Sequence, residues 1–167
     1  VSETMSKSSQ SKPAKDTKRL YFPPLLQFAI YGIASYFLAV NIPFLTIQSG
    51  VFFWLSVPMV LAGSLLLLLS VRSFARAGTT VNPIEPEKAE RLVTTGLYRF
   101  TRNPMYLGML LVLLGLAFAW QNIAAFSGAL LYAISITVFQ IIPEERVLEE
   151  NFGNAFAAYR EQTRRWL

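Results

Sequence analysis

The chain has 167 residues, of which 53% are hydrophobic and only 15% charged, with a net charge of +5. A water-soluble domain of this size needs more polar surface, since about 25% charged residues is usual. Cys and His are both absent, which excludes disulfides, thiol nucleophiles, His general bases and His or Cys metal sites, so no metal is expected. The basic residues form no stripe with interleaved aromatics, so nucleic acid is not an expected partner.

Residues 1–20, rich in Ser and Lys, read as a disordered tail. The apolar run that follows is too long for a secretory signal and continues into a second one. Leu20 to Val71 carries no Asp, Glu, Lys or Arg, and neither does Asn103 to Pro143. These blocks are roughly 50 and 40 residues long, and one membrane crossing takes about 20. Each block therefore holds two crossings, with turn residues between them: Asn41, Pro43, Gln48, Ser49 and Gly50 in the first, Gln121 and Asn122 in the second. The expected fold is all-α and integral to the membrane, a single domain over 21–167. Four transmembrane helices are expected in two hairpins, over 24–44, 51–71, 104–120 and 123–142. All fifteen basic residues lie outside the two blocks. Lys and Arg gather on the cytoplasmic side, so both termini and the central segment are placed there.

Helix two carries Gly63 and Ser64, small residues that permit close helix contact but are also ordinary membrane composition. The central stretch "AGTTVNPIEPEKAERLVTTGLYRFTRNP" reads as a long ordered loop over the cytoplasmic helix ends. Asn103-Pro104 has the form of a helix start, with Asn as N-cap and Pro at the first helical position. Pro143 is compatible with a kinked continuation of helix four. The segment 144–167 is amphipathic, with Leu148, Phe152, Phe156 and Tyr159 at helical spacing and Glu149, Glu150, Arg160 and Glu161 elsewhere on the wheel. Gly153 is expected to bend or break it. This segment suits an interfacial helix anchored by Arg164, Arg165 and Trp166, and equally a lid over the central loop.

One constellation could carry chemistry. Glu144 and Glu145 sit within a turn of the end of helix four, and Arg102, Asn103 and Tyr106 stand at the start of helix three. A helix three–four hairpin brings these groups together across one mouth. Ionisable groups near the bilayer tend to be paired and functional. The N-terminus of helix three adds donors suited to a carboxylate. Such a mouth could hold a zwitterion and open sideways to lipid.

The stretch "RLVTTGLYRFTRNPMYLG", followed about forty residues on by "PEERVLEENFGNAFAAY", resembles the isoprenylcysteine carboxyl methyltransferase and phospholipid methyltransferase superfamily. "GTTVNP" resembles its bacterial members, which implies a bacterial inner membrane. The resemblance implies S-adenosylmethionine as methyl donor, bound without a Rossmann domain. Its contacts would be Glu90, Arg91, Leu92, Val93, Tyr98, Asn103, Pro104, Met105, Tyr106 and Glu144. Leu92, Val93, Tyr98 and Met105 would line the adenosine, and Glu144 the methionine end. Arg102, Glu145 and Tyr106 are the candidate catalytic residues, with Glu145 or Tyr106 as base for an amine acceptor. Gln140 stands at a substrate-binding position where the prenylcysteine enzymes have Arg, and its neutral amide argues against a prenylcysteine substrate. Asn103 replaces a frequent His, which excludes base catalysis from that position. The implied function is methyl transfer to a lipophilic small molecule or lipid, at a carboxylate or an amine. Two other readings stand beside it: a non-catalytic membrane scaffold or subunit, and a nicotinamide-dependent reductase.

Overall fold

The computed structural model describes residues 22–77 and 92–167. The tail expected over 1–20 and the stretch "GTTVNPIEPEKAER", with Glu90 and Arg91, lie outside the described residues. The described residues form helices α1 (Pro24–Asn41), α2 (Gly50–Ala77), α3 (Pro104–Trp120), α4 (Phe126–Ile136), α5 (Ile142–Phe152) and α6 (Asn154–Gln162). Among them β pairing is confined to two isolated bridges. Three continuous stretches are long and apolar enough to cross a membrane: Pro24–Asn41, Gly50–Ser73 and Ile123–Phe152. The apolar helix α3 has 17 residues.

Local chemistry explains where the helices start and stop. Pro24 and Pro104 open α1 and α3 at positions where a missing N–H costs nothing. α1 ends at Asn41 rather than at the expected Phe44. Ile42, the residue before Pro43, is pushed out of the helical region to φ −121°, ψ 62°. α2 runs to Ala77, past the expected end at Val71. Pro143 does not end the fourth helix. It lacks an N–H, and its ring crowds the carbonyl of Phe139. A π-turn at Thr137–Ile141 widens the helix just before it, and the helix then continues to Phe152.

Packing ties the two expected hairpins to each other. α2 lies chiefly against α3, whereas α1 lies against α4 and α3 and barely touches α2. The α2–α3 contact is backbone to backbone. A Cβ added at Gly63 would stand 2.6 Å from the carbonyl oxygen of Gly108, and one at Gly108 would stand 2.8 Å from that of Gly63. Gly63 is thus a helix-contact residue. Gly115 repeats the approach about two turns further along, against Val60 and Ser56. Gly128 allows α4 the same closeness to Tyr31 and Ser35 of α1. The interior between α3 and α4 is filled by Tyr106, Met109, Leu113, Ala129, Tyr132, Ile136 and Ile141. Within it, buried Gln27 donates to the Phe22 carbonyl (2.8 Å) and accepts from the Ser135 hydroxyl (2.8 Å).

The two inter-helix turns meet at one end of the bundle. Ile47 N–H donates to the Gln121 carbonyl at 2.7 Å, and Ser49 N–H to the Gln121 side chain at 2.9 Å. Asn122, fully buried, donates to the carbonyl of Ile42 (2.9 Å) and accepts from Ala124 N–H (2.8 Å). Its amide also reaches the Ala39 carbonyl at 3.3 Å. Asn122→Ala leaves these part-buried carbonyls and one amide without that partner. A loss of about 1–3 kcal/mol is expected, read as a lower thermal midpoint in detergent.

Candidate functional site

At the opposite end, the chain enters α3 from a 3-10 turn at Gly96–Arg99. The fourth helix reaches the same level with Gln140, Glu144 and Glu145, and the C-terminal segment folds back over both. Gly153 makes that return possible. Its φ of +49° lies in the region that only glycine enters at little cost, and it separates α5 from α6. On α6, Phe156 and Tyr159 are buried, while Arg160 and Glu161 on α6 and Glu149 and Glu150 on α5 are exposed, as the helical spacing predicts. Tyr159 donates to the Tyr98 carbonyl at 2.7 Å.

The tail after α6 runs alongside the loop before α3. Thr101 and Arg164 form a parallel bridge, and Arg102 N–H donates to the Arg164 carbonyl at 2.9 Å. The Arg165 carbonyl accepts from the Thr101 hydroxyl (3.2 Å) and from the Asn103 amide (3.0 Å). Asn103 therefore does not cap α3 with its side chain, as the sequence suggested. Its amide is drawn to the tail instead, because the Arg165 carbonyl offers a partner at 3.0 Å.

The two adjacent glutamates have separate environments. Glu145 is held from both sides. Arg102 Nη2 lies 2.8 Å from its Oε1, and Arg165 Nη2 lies 2.7 Å from its Oε2. The Nε atoms of both arginines also donate to Oε1, at 3.1 and 3.2 Å. Arg102 Nη1 donates further to the carbonyls of Arg160 (3.2 Å) and Thr163. The side chains of Arg102 and Glu145 are only 9% and 11% exposed. This is a buried, charge-assisted network of the kind that orders a site. The hydrogen bond to Glu145 raises the pKa of Arg165 further.

Glu144 faces the other way. Its Oε1 accepts from the Tyr106 hydroxyl at 2.8 Å and from the Gln140 amide. Tyr98 stands close by, and burial, with the charges of Tyr159 and Glu144 behind it, pushes its pKa up. Burial raises Tyr159 to about 12. Both phenols stay protonated near neutrality, which keeps the Tyr159 hydroxyl a donor to the Tyr98 carbonyl.

The structure thus brings together Tyr98, Arg102, Asn103, Tyr106, Gln140, Glu144 and Glu145 from the residues the sequence nominates. Pro104 is buried and Met105 half-buried at the first turn of α3, and Leu92 and Val93 are half-buried in the extended chain before the 3-10 turn. Sequence reasoning missed Thr101, Thr163 and Arg165 as parts of the clamp. Arg165 and Trp166 were expected as headgroup anchors. Instead Arg165 pairs with Glu145, and Trp166 packs against the α3–α4 core. The one sequence hint was an excess of carboxylates on α5 opposite the basic "TRRWL".

The phospholipid methyltransferase pattern matches residues 51–155, which hold α2 through α5 and both glutamates. The chain belongs to the phospholipid methyltransferase family. It is also similar to an uncharacterized protein of Haemophilus influenzae, 40% identical over 63 residues, which is 38% of this chain and 100% of that protein. No solved structure matches it. The family is one of methyltransferases, and the described residues of this member are helical, with three helices among them apolar and long enough to span a membrane.

Proposed function

We propose that the mouth around Glu144 binds S-adenosylmethionine, and that the protein methylates a lipophilic acceptor arriving from the bilayer. The observation that carries this reading is the meeting of Tyr106 on α3 with Glu144 on α5, inside the stretch that the phospholipid methyltransferase pattern matches. Tyr106 and Gln140 both donate to Glu144 and orient its carboxylate. A carboxylate held at this mouth suits a cationic ligand. The donor carries an ammonium and a sulfonium, and its carboxylate suits the positive end of the α3 dipole. The donor set present fits that molecule.

When bound, S-adenosylmethionine supplies a methyl group already activated by its sulfonium. The protein's task is to hold the acceptor in line and exclude water. Glu144 anchors the amine end, with Tyr106 and Gln140 fixing its rotamer. Tyr98, Pro104 and Met105 wall the mouth, with Leu92 and Val93 on the approach to it. Gln140, which the resemblance places at the substrate, is buried and turned onto Glu144, so it serves as an orienting group. Glu145 is unsuited to proton transfer because both oxygens are held by guanidinium groups. An acceptor amine would pass its proton to the Tyr106 hydroxyl, with Glu144 behind it. A carboxylate acceptor needs no base.

The topology belongs to the same proposal. α3 runs between the same two ends as α2, so we place it as a fourth crossing. The basic residues then put the site at the cytoplasmic face, in a bacterial inner membrane. The test is calorimetric titration of the detergent-purified protein with S-adenosylhomocysteine, using NADPH as control. Saturable binding of the first supports the reading. Binding of NADPH alone points to a reductase, and binding of neither by folded protein points to a non-catalytic role.

A further inference from the structure

At the mouth end, the loop before α3 and the tail after α6 run side by side, and both carry exposed groups. Phe100 is 74% exposed although its neighbour Thr101 is buried. Arg99 and Arg164 are exposed too, and the bridge between Thr101 and Arg164 brings the two segments together. Neither arginine takes part in an ion pair among the described residues, and Arg164 reaches the Leu167 carbonyl at 3.5 Å. Arg72 adds an exposed cation near the end of α2, where Ser73 lies beside Gly96 of the 3-10 turn. Depth decides what these groups meet. α3 has 17 residues, so it is about 26 Å long, close to the ~30 Å of a hydrocarbon core. Arg99 and Phe100 stand just before its first residue, Pro104, and so at headgroup level. Trp166, just after Arg164, packs against the core between α3 and α4 and holds the tail at the same level. The exposed carboxylates of α5 lie further out. Glu149 and Glu150 are more than a turn beyond Glu145, about 6 Å along the helix, and Glu149 pairs with Arg160 at 3.5 Å. Glu161 on α6 is exposed, and no ion pair joins it to Arg164.

We propose that Arg99 and Arg164, together with Phe100, form a docking site for anionic lipid headgroups at the rim of the mouth. The Phe100 ring enters the boundary between headgroups and acyl chains, where aromatic side chains are favoured. The two guanidinium groups take the lipid phosphate, to which their planar forks are suited. An anionic leaflet attracts cations held at this depth. The anchoring expected of the tail alone is thus shared with the loop before α3, because Arg165 and Trp166 are turned inward. The inference rests on the placement of α3 as a crossing and not on the identity of the methyl donor.

The experiment follows the thermal midpoint of the full chain in detergent micelles as phosphatidylglycerol, phosphatidylcholine or inorganic phosphate is added. The midpoint should rise with phosphatidylglycerol and not with the other two, since a ligand of the folded state stabilises it. In Arg99→Gln and in Arg164→Gln, the phosphatidylglycerol needed for half of that rise should grow about fivefold. Replacing both by Lys, which keeps the charge, should preserve most of the response. The inference is overturned if the two lipids act alike on the wild type, or if inorganic phosphate alone gives the full rise. It is equally overturned if the Arg99→Gln, Arg164→Gln double variant responds to phosphatidylglycerol as the wild type does. The chain has no Cys, so Phe100→Cys can carry a single fluorophore, which a headgroup-attached quencher should reach in vesicles containing phosphatidylglycerol. A label that this quencher does not reach overturns the placement of α3 and the inference together. A quenched label without a lipid preference overturns the inference only.

Discussion

Glu144→Gln should weaken S-adenosylhomocysteine binding by about a hundredfold while leaving the protein folded. The substitution keeps the size of the side chain and an oxygen that can still accept from Tyr106. What it removes is the charge. A hydrogen bond to a charged group contributes about 1.5–3 kcal/mol, so the loss in affinity is expected near a hundredfold. Methyl transfer should fall by at least as much, since the donor's position sets the line of attack. The thermal midpoint should move little, because Glu144 takes no part in the Arg102–Glu145–Arg165 clamp. Binding at the wild-type affinity by Glu144→Gln would remove this carboxylate from the site and, with it, the proposed function. Glu145→Gln should behave in the opposite sense. It leaves two guanidinium groups without their carboxylate, one of them nearly buried, and the thermal midpoint should drop first.

The second large effect is expected far from any ligand. Gly63→Ala puts a methyl group 2.6 Å from the Gly108 carbonyl oxygen and 2.9 Å from the Val112 nitrogen. Both obstacles are backbone, so neither can rotate away. α2 and α3 must separate, and an overpacked interface of this kind costs about 1–3 kcal/mol, with more for larger side chains. Gly63→Val should therefore prevent recovery of folded protein, and Gly63→Ala should lower the thermal midpoint clearly. Donor binding should weaken as well. The 3-10 turn that leads into α3 rests beside Ser73 near the end of α2, so a shift of α2 moves the start of the site. An unchanged midpoint in Gly63→Ala would mean that the two helices do not approach as closely as described. Close packing through small residues is what drives association where lipid supplies no hydrophobic force.

Much of this architecture could be read from local chemistry. Two long charge-free blocks specify membrane helices because a buried charge is costly in hydrocarbon wherever it lies in the fold. Pro104 opens a helix and Gly153 breaks one through backbone geometry alone. The spacing of Leu148, Phe152, Phe156 and Tyr159 marks an amphipathic surface because 3.6 residues make a turn. The gathering of Arg102, Tyr106, Glu144 and Glu145 followed from hairpin topology and motif spacing.

Other features depend on groups distant in sequence. Successive residues on a helix point about 100° apart, so the partner of each glutamate depends on the rotation of its helix. That rotation is set by the π-turn at Thr137–Ile141 and by packing against α3, neither of which a pattern of residue types reveals. Asn103 had a local role available as a helix cap. A carbonyl 62 positions away took its amide instead. Gly63 looked like ordinary membrane composition until Gly108 stood opposite it. By itself, the sequence determined which segments are helical and apolar, and which family pattern they carry, because these follow from solvation and backbone preference residue by residue. Which helices are neighbours, which glutamate the two arginines clamp, and that Arg165 ties the tail to α5, only the tertiary structure decided, because each depends on distances between atoms that the chain brings together only when it folds.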